Sequence, residues 1–242
     1  MVGLPFSRNV FRPVRPGTGM DILQITGDGD TTSPGAAERL LEAGGLYDPD
    51  QFTCNAYLVT GERPVLIDTG TLAGVPAAIE GFTDELAAVM LTHQHGDHIG
   101  QLDAVLEAFD PELYAYGSHP SRTAALSDGD TVRLGDEAFE VMHTPGHAAD
   151  HVVLLSETTL FAGDLIVPND EAFDYGSFGA TGGPGPARER LIEGLEAVRD
   201  RLPETVEHLY AGHGDPFHGE VADLVETALE RAEQRAPKYA ER

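Results

Sequence analysis

The segment Thr92-His93-Gln94-His95-Gly96-Asp97-His98 constrains this chain more than any other. It gathers three imidazoles and a carboxylate directly after the apolar run Val89-Met90-Leu91. Collected in one pocket and left unpaired, such groups are costly to bury; around a cation they supply nearly the full donor set of a catalytic zinc ion. In extended backbone, residues two apart project the same way, so His93 and His95 can hold one ion together. A helix beginning near Asp97 redirects Asp97 and His98 toward a second position, and Gly96 is read as permitting the turn. The plain alternative is a polar loop that happens to contain histidines. With 10 His in 242 residues, chance placement gives this spacing on the order of one time in a thousand.

Three later segments repeat the pattern of an apolar run stopping at a donor beside a glycine. Val141-Met142 leads to His143-Thr144-Pro145-Gly146-His147, Leu160-Phe161-Ala162 to Gly163-Asp164, and Leu209-Tyr210-Ala211 to Gly212-His213. Alternation and apolar runs predict strands over 21–26, 53–60, 64–68, 88–92, 112–116, 131–134, 138–143, 151–156, 159–162 and 208–211. Helical periodicity covers 99–109, 187–202 and 221–236, with a short helix near 36–43. Paired strands broken by separate helices predict a mixed α/β chain layered as a four-layer αββα sandwich, its helices on the outer faces of two sheets. The length suits one domain over 1–242, opening with an irregular Pro- and Arg-rich arm over 1–19. The glycine- and proline-rich stretch 175–186 is expected to be irregular, either a substrate loop or a surface insertion.

THQHGDH, TPGH, AGD and AGHGD, in this order, resemble the metal-binding motifs of the metallo-β-lactamase superfamily. The hairpin Asn55-Ala56-Tyr57-Leu58-Val59 through Val65-Leu66-Ile67-Asp68-Thr69-Gly70 resembles that family's opening strands, and the similarity spans about residues 53–214. The resemblance implies that His93, His95 and His147 bind a first metal ion, Asp97, His98 and His213 a second, and that Asp164 bridges both. It implies two divalent ions, zinc first, with iron or manganese as alternatives, activating a water that Asp97 aims. Asp164 makes the chain look like the glyoxalase II, lactonase and ribonuclease Z branches rather than the zinc β-lactamases, and it is most similar to glyoxalase II-like thioester hydrolases. It departs from them by ending after two helices without a basic C-terminal cluster, and from lactonases because its first tyrosine after Asp164 is Tyr175. A small thioester or lactone is therefore the expected substrate. Two other resemblances are kept: persulfide dioxygenases, whose single iron would take His93, His147 and Asp164, and ribonuclease Z-like phosphodiesterases.

Charge weighs against the last of these. The formal net charge is -26, from 41 acidic against 15 basic residues, with Lys238 the sole lysine. Binding to nucleic acid or anionic membrane depends on Lys and Arg, so neither partner is expected; the acids spread along the whole chain read as a halophilic surface. No apolar run reaches the roughly 20 residues of a membrane span and no signal core is apparent, which gives a cytoplasmic expectation. The single Cys54 cannot form an internal disulfide and is read as core. Phe173, Tyr175 and Phe178 are candidate substrate contacts for a small-molecule partner, packing beneath their loop being the other reading. His143 and His151 are read as structural or solvent-facing, with support of a metal ligand as the alternative. His119, His208 and His218 are read as ordinary surface residues. Asp68 either orients a ligand from behind or caps a turn. Oligomeric state is left open.

Overall fold

Strands that read as unbroken apolar runs need cover on both faces, and the computed structural model, which describes residues 20–27, 35–181 and 185–234, provides it. The predicted arm over 1–19 lies outside the described residues. The chain begins with β1 (Ile22–Gly27), α1 (Ala36–Glu42), β2 (Leu46–Tyr47), β3 (Ala56–Val59), β4 (Val65–Ile67) and α2 (Val75–Glu80). It continues through β5 (Ala88–Met90), α3 (Gly96–Ile99), α4 (Leu102–Phe109), β6 (Glu112–Ala115), β7 (Ala124–Ala125), β8 (Thr131–Leu134) and β9 (Glu137–His143). The last part holds β10 (Val152–Leu155), β11 (Thr159–Gly163), β12 (Ile166–Val167), β13 (Ser177–Phe178), α5 (Pro186–Arg201), β14 (His208–Ala211), β15 (Phe217–His218) and α6 (Val221–Glu233).

One sheet runs β2-β1-β3-β4-β5-β6-β7 and a second β15-β14-β11-β10-β9-β8, with β12 and β13 as a separate pair. The period-2 geometry of a strand sends alternate residues to opposite faces. Val65, Ile67, Ala88 and Met90 meet Phe139, Val141, Val152, Leu154 and Phe161 between the sheets. Their neighbours Leu66 and Val89 turn outward and pack with Val75 and Ile79 of α2 and Leu102 and Val105 of α4. On the far side Val153, Leu160 and Leu209 pack with Leu191 and Leu195 of α5 and Leu224 and Val225 of α6. These three buried layers make the αββα sandwich expected from the sequence. Among the described residues, no helix is long and apolar enough to cross a membrane.

Several local expectations are corrected. The helix expected over 99–109 is two, α3 and α4, broken around Gly100, where a Cβ would sit 2.9 Å from Thr71 Cγ2 and 3.0 Å from the Gly70 carbonyl. Close backbone approach, rather than propensity, sets that break. Part of the stretch expected to be irregular is a strand: Ser177 and Phe178 pair with Val167 and Ile166, while residues 182–184 lie outside the described set. The helix from Val221 is described to Glu233, and its expected end at 236 also lies outside. Helix α2 and the two-residue strands β2, β7 and β15 were not expected; such short strands carry too little periodicity to read.

Candidate metal centre

The donors gather where strands of both sheets end. His93 follows β5, His147 follows β9, Asp164 follows β11 and His213 follows β14. β11 and β14 are parallel neighbours, with Gly163 opposite Ala211, so Asp164 and His213 leave adjacent strands side by side. The crevice beyond the carboxyl ends of parallel strands is where open α/β sheets bind ligands.

Two triads form around Asp164. In the first, His95 Nδ1 lies 3.0 Å from His93 Nε2 and 2.8 Å from His147 Nε2. His147 Nδ1–H donates to the Ala180 carbonyl at 2.8 Å, which leaves its Nε2 lone pair facing the others. Three such nitrogens cannot all be satisfied by shared protons, whereas one cation satisfies them together. In the second triad His213 Nε2 is 3.1 Å from Asp97 Oδ2, and His98 Nε2 is 3.6 Å from the same oxygen. Asp164 reaches both groups: its Oδ2 lies 3.3 Å from His147 Nε2 and 3.5 Å from His213 Nε2, and its Oδ1 3.2 Å from His98 Nε2. The last pair is close but not aligned as a hydrogen bond, and both atoms are buried without a hydrogen-bond partner. Buried polar atoms are rarely left so. A cation between them supplies the missing partner, so the donor set fits a metal.

Groups behind the donors fix their orientation. Asp68 sits in the left-handed region at φ 55°; its Oδ1 accepts from Thr92 N–H at 2.9 Å, and its Oδ2 from Thr92 Oγ1 at 2.7 Å and His98 Nδ1 at 2.8 Å. Of the two readings of Asp68 the structure supports the first: its carboxylate sits behind His98 and aims the ring. Fully buried His151 accepts from Asp164 N–H at 2.9 Å through Nε2 and meets Thr144 Oγ1 at 2.8 Å through Nδ1. Asn55 Nδ2 donates to the Ala211 and Gly214 carbonyls at 3.1 and 2.7 Å, holding the His213 loop to β3. A Cβ on Gly212 would overlap Asp164 Oδ1 and His98 Cε1. Only glycine leaves this cradle open.

The local charges match a cation site. Burial alone would raise the Asp164 pKa, but His213, His98 and His93 hold it well below the ordinary carboxylate value. Burial likewise opposes ionisation of Asp97, and the His213 hydrogen bond together with the charges of His98 and His213 outweighs that. Burial pushes His147 downward and His151 down to about 3, so both are neutral imidazoles at physiological pH. His98 goes the other way: burial disfavours its charge, but Cys54, Asp164 and Asp68 hold its pKa well above the ordinary value. The acids here draw a positive charge into the pocket.

Comparison with known proteins agrees with this geometry. The family model described as "Metallo-beta-lactamase superfamily" matches residues 49–240. The chain belongs to the metallo-β-lactamase superfamily. Its curated relatives include a hydroxyacylglutathione hydrolase of Salmonella typhi, 37% identical over 108 residues that cover 43% of this chain and 43% of the relative. Another is an atrochrysone carboxyl ACP thioesterase of Aspergillus fumigatus, 36% identical over 138 residues that cover 50% of this chain and 32% of the relative. Both matches thus span less than half of the relative's length. Among solved structures, TTHA1623 in a di-iron-bound form is 30% identical with a TM-score of 0.55, over 71% of this chain and 91% of that one.

Within this superfamily frame the structure brings His93, His95, Asp97, His98, His147, Asp164 and His213 into one cluster. It separates the aromatic trio. Phe178 is 2% exposed and packs in the core under α5 and α6, so it braces the loop and is not an open pocket wall. Phe173 packs on the same core beneath the Arg231 guanidinium, 4.3 Å from its ring centroid. Tyr175 is 38% exposed and faces Phe217 edge-on. Gly96 is corrected too: it opens α3 without a left-handed dihedral and has space for a Cβ, so glycine is not required there. For His151 the alternative reading, support of a metal ligand, is the one the structure bears out, whereas sequence reasoning missed the bracing roles of Asn55 and Gly212; each depends on partners brought close only by the fold. Cys54 is buried as expected, and burial raises its thiol pKa to about 11.

Proposed function

We propose that this chain is a metal-dependent hydrolase of small thioesters or lactones, built on two metal positions joined by Asp164. The observation that carries the reading is the placement of Asp164, whose two oxygens face His147 and His213 on one side and His98 on the other. His93, His95 and His147 would hold the first ion, and Asp97, His98 and His213 the second. Two divalent ions, zinc in this reading, would supply Lewis acidity there and lower the pKa of a bound water toward 7. Asp97 stays ionised because the His213 hydrogen bond and the charges of His98 and His213 together overcome its burial, so it can accept a hydrogen bond from an attacking water and aim it at the carbonyl carbon. Asp68 and His151 keep His98 and Asp164 in place, which limits reorganisation during the reaction.

Relatives named as a thioesterase and as an acylglutathione hydrolase support the acyl substrate class. The net charge of -26 disfavours a polyanionic substrate, since gripping phosphates needs Lys and Arg. The test measures metal content of protein purified without added metal, then turnover of a panel of acyl thioesters and lactones beside bis-p-nitrophenyl phosphate, at high salt. Two zinc ions per chain and preferential acyl cleavage are expected. One iron per chain with oxygen uptake on a persulfide would replace the reading. So would a preference of ten-fold or more in kcat/KM for the phosphodiester, about 1.4 kcal/mol of transition-state discrimination.

A further inference from the structure

We propose that His208 and His218 form a separate surface site for one transition-metal cation of the Cu2+ or Ni2+ class. β14 and β15 are antiparallel and the two histidines are direct cross-strand partners, so their side chains leave the same face of the pair. The rings cross at 77° with centroids 5.0 Å apart, and the two Nδ1 atoms face each other at 2.9 Å.

That spacing lets both rings reach one ion. Two imidazole nitrogens bound at about 2.05 Å lie about 2.9–3.3 Å apart on adjacent coordination positions. With imidazole donors and no further protein ligand to impose a geometry, the affinity order of the divalent ions decides, and it rises through Ni2+ to Cu2+ and falls again at Zn2+. Without a cation only one of the two nitrogens can donate, so the contact rests on a single shared proton. His218 is exposed, which gives solvent access. Tyr210, on the same face of β14, closes one side with its ring centroid 5.8 Å from that of His218. Among the described residues no third His, Cys, Asp or Glu completes a donor group with the pair, which leaves the remaining coordination positions to water.

The site stands at the base of the hairpin whose loop carries His213. A cation bound there ties β15 to β14 and stabilises the folded hairpin by linkage. The test is chromatography of the untagged, zinc-loaded protein on immobilised Cu2+, eluted with imidazole. Loading with zinc first keeps the donors around His93 and His98, among which His95 is exposed, from competing for the tethered ion. Retention is expected, with His208→Asn and His218→Asn each lowering the apparent association constant at least ten-fold. The double variant should bind no more weakly than either single one, because chelation needs both rings; His143→Asn should elute with wild type. Metal-free thermal midpoints check that the variants fold. Equal retention of all forms, or independent additive losses at the two positions, would overturn the proposal.

Discussion

Replacing Asp68 by Asn changes almost nothing in volume and yet should disable one half of the metal centre. The carboxylate accepts three hydrogen bonds, two from Thr92 and one from His98 Nδ1 at 2.8 Å. The amide oxygen can still take the Thr92 N–H, and the hydroxyl of Thr92 can rotate to accept from the new NH2. His98 has no such freedom. Facing a donor, its Nδ1 must give up its proton, and the neutral ring then carries hydrogen on Nε2, the atom that faces Asp164 Oδ1 at 3.2 Å. A protonated nitrogen cannot ligate a metal. Loss of a group that orients a ligand typically weakens metal binding 10–100-fold, about 1.4–2.7 kcal/mol. Competition with a chromophoric chelator should show one tight equivalent retained and one weakened by that factor. The thermal midpoint of the metal-free protein should move little, because two of the three contacts survive. Two equivalents within three-fold of wild type would show that the Asp68–His98 contact does not set the tautomer.

Gly212→Ala should cost one metal equivalent and at least ten-fold in turnover, because its Cβ overlaps Asp164 Oδ1 and His98 Cε1; Gly96→Ala, with nothing within 4 Å, should leave folding stability unchanged. Equal metal content in the two variants would refute the cradle. The buried His151 has its pKa lowered to about 3 against 6.5 for the free side chain, so the unfolded state binds its proton first as pH falls. Its contribution is fully present above pH 6.5 and is lost toward pH 3, at about 1.4 kcal/mol per unit. Urea unfolding of metal-free protein at pH 7.5 and 4.5 should therefore show a smaller pH loss for His151→Gln than for wild type; parallel losses would contradict this. If the surface is a salt adaptation, the net charge of -26 should make stability rise from dilute buffer into molar salt as screening weakens self-repulsion. A maximum in dilute buffer would instead assign the charge to a local partner.

What the sequence disclosed about this centre follows from how far apart its parts lie along the chain. His93, His95, Asp97 and His98 sit within one turn of chain, so their convergence was legible from spacing alone, and strand-end glycines marked His147, Asp164 and His213. The layers were legible for a similar reason: runs such as Val152–Leu155, buried on both faces, imply cover on both sides. What stayed hidden are contacts made by the topology. Asn55 holds carbonyls more than 150 positions away, and nothing local distinguishes it from any strand-end asparagine. For His151 support of a ligand was only the second reading, because its partner is the backbone N–H of Asp164, a group every residue but proline carries. Phe178 and Tyr175 are close neighbours in one loop with the same aromatic character, and only the pairing of β13 with β12 turns one inward and leaves the other exposed. The histidines at 208 and 218 join this class, since β15 is two residues long and its register against β14, which brings the two rings together edge to face, exists only in the folded sheet.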